Sequence, residues 1–165
     1  MTARAVDFSL DPDKTGYELA QRWLEQRQPG GFFERLRVEP TEVSTGRMML
    51  RCEIDAGHAN LAGLVHGGVT ASLIDMGGGG AAMTLIGAHE TILTSDLAVR
   101  YLAPGRLDRG PFTATGHVSH RSGRRMVAQV EVLDATGTVL AEGSIGVAIR
   151  ARSVQSGEDK PRDRR

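Results

Sequence analysis

The sequence contains little cysteine. Cys52 is the only cysteine among 165 residues, so no disulfide can form within the chain. A zinc site built from several thiolates is excluded for the same reason. Because disulfides are rare in reducing compartments, a single free thiol is typical of a cytoplasmic protein, and that is the location we expect.

Net charge and long apolar runs are also lacking. Twenty basic and twenty acidic residues cancel, which leaves no overall field to attract nucleic acid or an anionic membrane, so neither partner is expected. The N-terminal residues contain no apolar core of a signal peptide, and no stretch approaches the roughly 20 apolar residues that span a bilayer. An anionic ligand must therefore be bound by a local cluster of basic side chains.

The length suits one domain. We expect an N-terminal extension with one helix over residues 1–31, a single domain over residues 32–150 and a polar, disordered tail over residues 151–165. In the extension, apolar residues on one face predict a helix over residues 15–28. This helix carries Trp23, the only tryptophan, and we expect it either to cover the edge of a sheet or to line a pocket.

Glycine, by contrast, is abundant and concentrated in one stretch. Apolar and small residues recur every three to four positions over residues 69–85, which predicts one long helix of about 17 residues. Within it, residues 77–80 are four consecutive glycines, each costing about 1 kcal/mol relative to alanine in a helix. The gain that offsets this cost is close approach to a sheet that wraps around the helix.

Three polar features of this stretch point to acyl-transfer chemistry. His66-Gly67-Gly68 opens the helix, and the free N–H groups of its first turn suit a carbonyl oxygen that gains negative charge. Asp75 is the only acid in the helix, which indicates either a function or a carboxylate that caps neighbouring backbone. Asn60 adds a neutral donor and acceptor on the entering loop.

The spacing of these groups predicts a dimer. Gly67 and Asp75 are eight residues apart, about 12 Å along a helix axis, so one carbonyl group cannot contact both. Two antiparallel helices related by a two-fold axis would bring Gly67 of one chain towards Asp75 of the partner subunit.

The rest of the domain predicts an antiparallel sheet interrupted by this helix, an α+β fold. Alternating residues and glycine-bearing turns are typical of strands and hairpins. The predicted strands cover residues 32–38, 46–54, 91–102, 112–119, 125–133 and 139–149, with a polar turn over residues 39–45.

The motif Asn60, Gly63, His66-Gly67-Gly68 and Asp75 resembles the N-x-x-G-x-x-H-G-G…D pattern of hotdog-fold acyl-CoA thioesterases. The closest likeness is to the phenylacetate-degradation (PaaI-like) type within the 4-hydroxybenzoyl-CoA thioesterase-like superfamily, and it extends over residues 35–150. The resemblance implies a hotdog fold, in which an antiparallel sheet wraps around one long central helix. It also implies hydrolysis of a small aryl or medium-chain acyl-CoA without a metal or organic cofactor, by a homodimer or homotetramer with active sites at the subunit interface.

The resemblance also implies roles for individual residues. The Gly67 N–H and Asn60 polarise the thioester carbonyl, and Asp75 of the partner subunit acts as general base or nucleophile. Thr94 orients water or the carboxylate, and Gly68 contacts substrate. For His66 two roles stay open, shaping the loop or transferring a proton, whereas His58 is expected to be a surface loop residue.

Coenzyme A carries phosphate groups, which arginine binds well. Among the arginines at predicted strand ends and turns, we expect Arg100, Arg124 and Arg125 to contact the nucleotide.

Other functions match less well. A hotdog hydratase or dehydratase normally has a different arrangement of histidine and acid, and a non-catalytic acyl-CoA sensor would not need Asp75. The glycines of residues 77–82 imitate a dinucleotide fingerprint but lie inside a helix with no βαβ pattern around them. The absence of a G-x-S-x-G motif argues against a serine hydrolase.

Overall fold

The structure, a computed structural model, describes residues 11, 13–26 and 30–152, so the predicted tail lies outside it from residue 153 onward. Within these residues the chain forms three α-helices, α1 (Gly16–Gln26), α2 (Gly31–Arg35) and α3 (Gly67–Met83). It also forms six strands, β1 (Val38–Ser44), β2 (Arg47–Cys52), β3 (Glu90–Tyr101), β4 (Phe112–Ser122), β5 (Arg125–Leu133) and β6 (Val139–Ala151). None of the helices described is long and apolar enough to cross a membrane.

The six strands form one antiparallel sheet in the order β1-β2-β4-β5-β6-β3. The helix α3 packs against strands β2 to β6, and Leu73 and Ile74 are fully buried there. Along β5, buried residues alternate with more exposed ones, as expected for a strand with one face on the core. The predicted α+β architecture, an antiparallel sheet around one long helix, is confirmed.

Glycine lets α3 lie close to the sheet. A methyl group on Gly78 would lie 2.8 Å from the Ile145 side chain, and one on Gly80 would overlap the Met48 sulfur. A larger residue at either position would push the helix or its neighbours apart. The close packing explains why α3 keeps these glycines despite their low helix propensity.

The strand predicted over residues 32–38 is wrong. Residues 31–35 form the short helix α2, and β1 occupies most of the segment predicted as a polar turn. The Phe33 ring packs edge to face against Trp23 of α1, with ring centroids 4.7 Å apart, a contact that no local pattern reveals. As an edge strand with a single partner, β1 tolerates the polar residues that suggested a turn.

The other predicted elements are confirmed with small shifts. The helix α3 has the expected 17 residues but begins at Gly67, two residues early. Strand β3 is shifted by one residue, β5 coincides with its prediction, and β4 and β6 extend two or three residues further. The helix α1 lies inside its predicted range, whose last residues fall outside the described part of the chain.

The helix α1 begins against the end of α3. The Gly16 N–H donates to the Ile86 carbonyl at 3.0 Å, and a side chain on Gly16 would overlap the Met83 carbonyl. Thr15 and Glu18 form a reciprocal capping box, with N–H to side-chain distances of 2.8 and 3.3 Å. The Gly16 contact holds the start of α1 beside the end of α3, and the capping box stabilises the first turn of α1.

Candidate active site

The helix α3 begins at the predicted His-Gly-Gly turn. His66 is its N-cap residue, and His66 Nδ1 accepts a hydrogen bond of 2.8 Å from the Gly68 N–H. Because Nδ1 accepts, the neutral ring carries its proton on Nε2. This contact corresponds to the loop-shaping role of His66. The Gly67 N–H donates to no acceptor in the part of the chain that the structure describes, so it is a free donor at the positive end of the helix dipole.

Asn60 shapes the loop ahead of α3. Its Oδ1 accepts from the N–H groups of Ala62, at 2.9 Å, and Leu64, at 3.1 Å. Its own N–H donates to the Leu64 carbonyl at 2.7 Å. Since the loop uses the side-chain oxygen, the NH₂ group is what Asn60 can offer to a ligand, as a donor.

His58 also stabilises this loop. The expectation that it is a surface residue is wrong. The residue is only 4% exposed. Its Nδ1 accepts from the Asp55 N–H at 3.1 Å, and its Nε2 lies 3.2 Å from the Leu36 carbonyl, to which it donates. The His58 carbonyl in turn accepts from the His66 N–H at 2.8 Å. The spacing Asp55-x-x-His58, a capping box, is the sequence signal that identifies this role.

Asp75 and Thr94 are brought together from different elements. Asp75 lies on the half-exposed face of α3, and the Thr94 hydroxyl on β3 donates to its Oδ1 at 2.8 Å. Thr94 is paired with Val147 of β6, whose side chain is buried on the α3 face of the sheet. The carboxylate is therefore held at the junction of helix and edge strand, about 12 Å along the helix axis from Gly67.

An apolar cavity of about 380 Å³ opens beside this carboxylate. Its polar lining includes Asp75 and Thr94, and its other walls come from α1, α2, α3 and β3. The apolar side chains that line it are Leu19, Trp23, Phe33, Met76, Met83, Ile86 and Ile92. Both expectations for the N-terminal helix are thus met in one place, because α1 covers the sheet edge and Trp23 lines the cavity.

Tyr101, at the end of β3, contacts the other half of the site, and sequence reasoning missed it. Its hydroxyl donates to the Gly67 carbonyl at 3.0 Å. A methyl group on Gly67 would lie 3.2 Å from the tyrosine ring. Gly67 therefore lets the ring pack against the first turn of α3. No sequence signal links two residues this far apart in the chain.

Arg124 and Arg125 lie at the β4–β5 turn. Arg124 Nε donates to the Ile149 carbonyl at 3.1 Å. Arg125 of β5 and Leu93 of β3 both pair with Ala148 of β6, so they lie two strand spacings, or about 10 Å, apart. Leu93 is the residue before Thr94. The Arg125 side chain lies on the sheet face away from α3, since the next residue of the strand is buried against the helix.

Arg100 lies at the opposite end of β3. It is six residues beyond Thr94, about 20 Å along the strand, and precedes Tyr101. The three predicted phosphate ligands thus form two groups in one chain, one near Thr94 and one near Gly67. Their contact with a nucleotide stays a prediction.

The edge strand β3 exposes large apolar side chains. Leu93 is 59% exposed, Leu97 42% and Tyr101 56%, and only β6 pairs with this strand. A long, apolar, unpaired edge is a template for pairing with another chain.

Among the described residues no group of three or more histidine, cysteine, aspartate or glutamate side chains could hold a metal ion.

Comparison with known proteins identifies the family. The family model described as the thioesterase superfamily matches residues 62–141. Acyl-coenzyme A thioesterase 13 of Mus musculus is 30% identical over 115 residues, which cover 67% of this chain and 80% of that protein. The solved structure of the E. coli PaaI protein, from the phenylacetic acid degradation operon, gives a TM-score of 0.72 at 17% identity, covering 85% of this chain and 97% of that one. A thioesterase family protein from Silicibacter pomeroyi gives 0.72 at 21% identity, covering 82% and 98%.

The two structural likenesses establish the fold, and the identity to the mouse protein establishes the family. The resemblance to hotdog-fold thioesterases, predicted from the motif around α3, is confirmed at both levels. The chain therefore adopts the hotdog fold, belongs to the thioesterase superfamily and is a thioester hydrolase.

Proposed function

We propose that the chain hydrolyses the thioester of a medium-chain or small aryl acyl-CoA at a site shared by two copies of the chain. The observation that carries this proposal is the Thr94–Asp75 hydrogen bond at the wall of an apolar cavity. A carboxylate oriented by a hydroxyl can activate water, and the cavity beside it can take an apolar acyl group.

In the proposed reaction, a water oxygen attacks the thioester carbonyl carbon while Asp75 accepts the water proton. Negative charge develops on the carbonyl oxygen and is stabilised by the Gly67 N–H and the Asn60 NH₂ group. The carbon–sulfur bond then breaks, the CoA sulfur takes the proton from Asp75, and the free acid leaves. If Asp75 is instead the nucleophile, its oxygen attacks the carbonyl carbon, the carbon–sulfur bond breaks and the CoA thiolate leaves, which gives a mixed anhydride. Water then hydrolyses the anhydride, releasing the free acid and the Asp75 carboxylate.

Two observations support a site built from two chains. The donor half at Gly67 and the carboxylate half at Asp75 are about 12 Å apart on one helix. The β3 edge, with Leu93, Leu97 and Tyr101 exposed, is a surface that a second copy can cover. Gly67 would then face Asp75 of the partner subunit, in a homodimer or a homotetramer of such dimers.

The same pairing would let the three arginines bind one ligand. Arg100 lies near the Gly67 half, whereas Arg124 and Arg125 lie near the Thr94 half. Bringing the two halves together across an interface also brings the two basic groups closer to each other. We propose that they bind the phosphates of coenzyme A outside the acyl cavity.

The role of Asp75 is tested by Asp75→Asn, which keeps the shape of the side chain and removes the base. Turnover should fall by about 10²-fold or more, the usual loss for a positioned base. CoA release from a panel of acyl-CoAs, followed with a thiol-reactive dye, measures this. Burial raises the pKa of the Cys52 thiol to about 12, so the dye reports released CoA and not the folded enzyme.

Glu131→Gln is the control, because Glu131 is an exposed acid of β5 whose neighbours Val130 and Val132 are buried, so it lies on the sheet face away from α3. It should leave turnover unchanged. A folded Asp75→Asn variant that hydrolyses its best substrate as fast as the unmodified protein would remove Asp75 from the mechanism.

A further inference from the structure

The four consecutive glycines of α3 are not equivalent. Gly78 and Gly80 have no room for a side chain, because Ile145 and Met48 occupy the space. Gly77 is also close to the sheet, with a Val130 methyl group 3.3 Å from where its Cβ would be. Around Gly79, by contrast, an added Cβ would meet nothing within 4 Å.

Packing within the chain therefore does not explain Gly79. Glycine inside a helix is less favourable than alanine at a position where alanine fits. Gly79 and Gly80 both line the apolar cavity, but only Gly79 is half-buried with open space where its Cβ would be. Its missing side chain is part of the volume of the cavity.

The cavity runs along α3, and Gly79 lies midway along the row of residues that line it on this helix. Asp75, Gly79 and Met83 are spaced four residues apart, so they follow each other on one face at about 6 Å intervals. All three line the cavity. A chain whose carbonyl carbon lies at Asp75 and whose tail follows the helix passes Gly79 before it reaches Met83.

We propose that Gly79 sets the length of the acyl group that the enzyme accepts, and that this group is an unbranched, apolar chain of medium length lying along α3. The choice of an extended chain follows from the roughly 12 Å between the two ends of the Asp75–Met83 row. The choice of an apolar chain follows from Leu19, Trp23 and Ile86, which line the cavity with apolar side chains. The placement of the carbonyl at Asp75 rests on the proposed function.

Two substitutions test this in opposite directions. Gly79→Leu should lower kcat/KM for decanoyl-CoA by tenfold or more, since excluding a few methylene groups has an effect of about this size, and should leave butanoyl-CoA within about twofold. Met83→Ala should shift the preference towards longer chains. The double variant should behave like Gly79→Leu alone, because the chain reaches residue 79 first.

A binding measurement separates the cavity from the chemistry. Trp23 is the only tryptophan and lines the cavity, so its fluorescence reports occupation without turnover. Decanoic acid should change this fluorescence in the unmodified protein. The Gly79→Leu variant should bind decanoic acid at least tenfold less tightly. If no acyl-CoA is hydrolysed but this loss of binding is seen, the proposed function fails and the role of Gly79 stands.

Gly87→Leu is the matched control. Gly87 is exposed in the loop after α3, outside the cavity, with Glu90 Oε2 3.6 Å from an added Cβ. It should leave the chain-length profile unchanged. If Gly79→Leu and the unmodified protein accept the same chain lengths, or if Gly87→Leu shortens the profile equally, the proposal for Gly79 is wrong even though hydrolysis continues.

Discussion

Single side chains carry most of the proposed chemistry, and Thr94 is the one whose contact can be altered most cleanly. Its hydroxyl donates to Asp75 Oδ1 at 2.8 Å, and Thr94 itself is exposed on the edge strand. The hydroxyl fixes the direction of the carboxylate. We therefore propose that the hydroxyl is a positioning group and not a reactant.

Thr94→Val removes this hydrogen bond with almost no change in volume. A hydrogen bond to a charged group contributes about 1.5 kcal/mol or more, so we expect kcat to fall about tenfold, with a smaller effect on KM. Steady-state kinetics with the best acyl-CoA measures both.

Thr94→Ser restores the hydroxyl without the methyl group and should recover most of the activity. If the serine variant is as slow as the valine variant, the methyl group matters and the hydroxyl does not, which contradicts the positioning role.

Cys52 illustrates how burial changes the meaning of a residue. The side chain is fully buried and its Sγ donates to the Leu36 carbonyl at 3.1 Å. Desolvation raises the pKa of the thiol to about 12, so the thiolate is not formed near neutral pH. The free thiol is a core residue, not a nucleophile.

Among the structural elements, the β5–β6 turn is held by one buried carboxylate. Asp134 Oδ1 accepts from the Thr136 hydroxyl at 2.7 Å, the Thr136 N–H at 2.9 Å and the Thr138 N–H at 3.0 Å. The Thr136 hydroxyl, then the two N–H groups, lower the pKa of the Asp134 carboxyl below its usual value, with a further contribution from Arg109. The charged form of Asp134 therefore stabilises the turn.

The sign of the pH effect follows from that lowered pKa. The stabilisation is present above the pKa of Asp134 in the unfolded chain, near 4, and is lost as the pH falls through the lower value in the folded protein. Asp134→Asn keeps the acceptor oxygen but not the charge, so its Tm should be lower at pH 7, by about 3 °C. The difference from the unmodified protein should shrink below about pH 4.

Thermal unfolding at a series of pH values measures this difference. Asp134→Ala, which removes the acceptor as well, should keep a deficit at low pH. A difference for Asp134→Asn that is the same at pH 3 and pH 7 would show that the charge of Asp134 has no part in holding the turn.

At the scale of the whole molecule, the central question is whether each site is shared. Gly67 and Asn60 lie at one end of α3, and Asp75 lies about 12 Å along it. Asn60→Ala should disable the first half and Asp75→Ala the second. Neither variant alone should be active.

Refolding the two inactive variants together in equal amounts should recover about a quarter of the activity. Random pairing makes about half of the dimers mixed. In a mixed dimer, one site contains both substitutions and the other site contains neither. Turnover of the refolded mixture, compared with each variant refolded alone, measures the recovery.

Dimer formation and exchange are the controls, followed by size-exclusion chromatography of differently tagged chains. A mixture that is dimeric, fully exchanged and still inactive would place each site within one chain. The family assignment does not depend on this result.

Several features could be read from the sequence because their causes are local. The periodicity around Asp75 predicted α3 at its full length, since one face of a helix must be apolar to pack on a sheet. Alternation predicted β5 to the residue. The His66-Gly67-Gly68 turn and the single acid of α3 predicted which residues would form the candidate site, and their catalytic roles stay predictions.

Other features depended on residues far apart in the chain. Phe33, in the segment predicted as a strand, packs against Trp23 of α1, ten residues earlier in the chain. Tyr101 meets Gly67 only after β3 has paired with β6. The sequence alone does not distinguish Gly79 from Gly78, because both belong to a run of four identical glycines. The difference exists because the side of α3 that faces the sheet is filled, whereas the side that faces the cavity is open, and only the packing of the sheet around the helix determines which side each glycine is on.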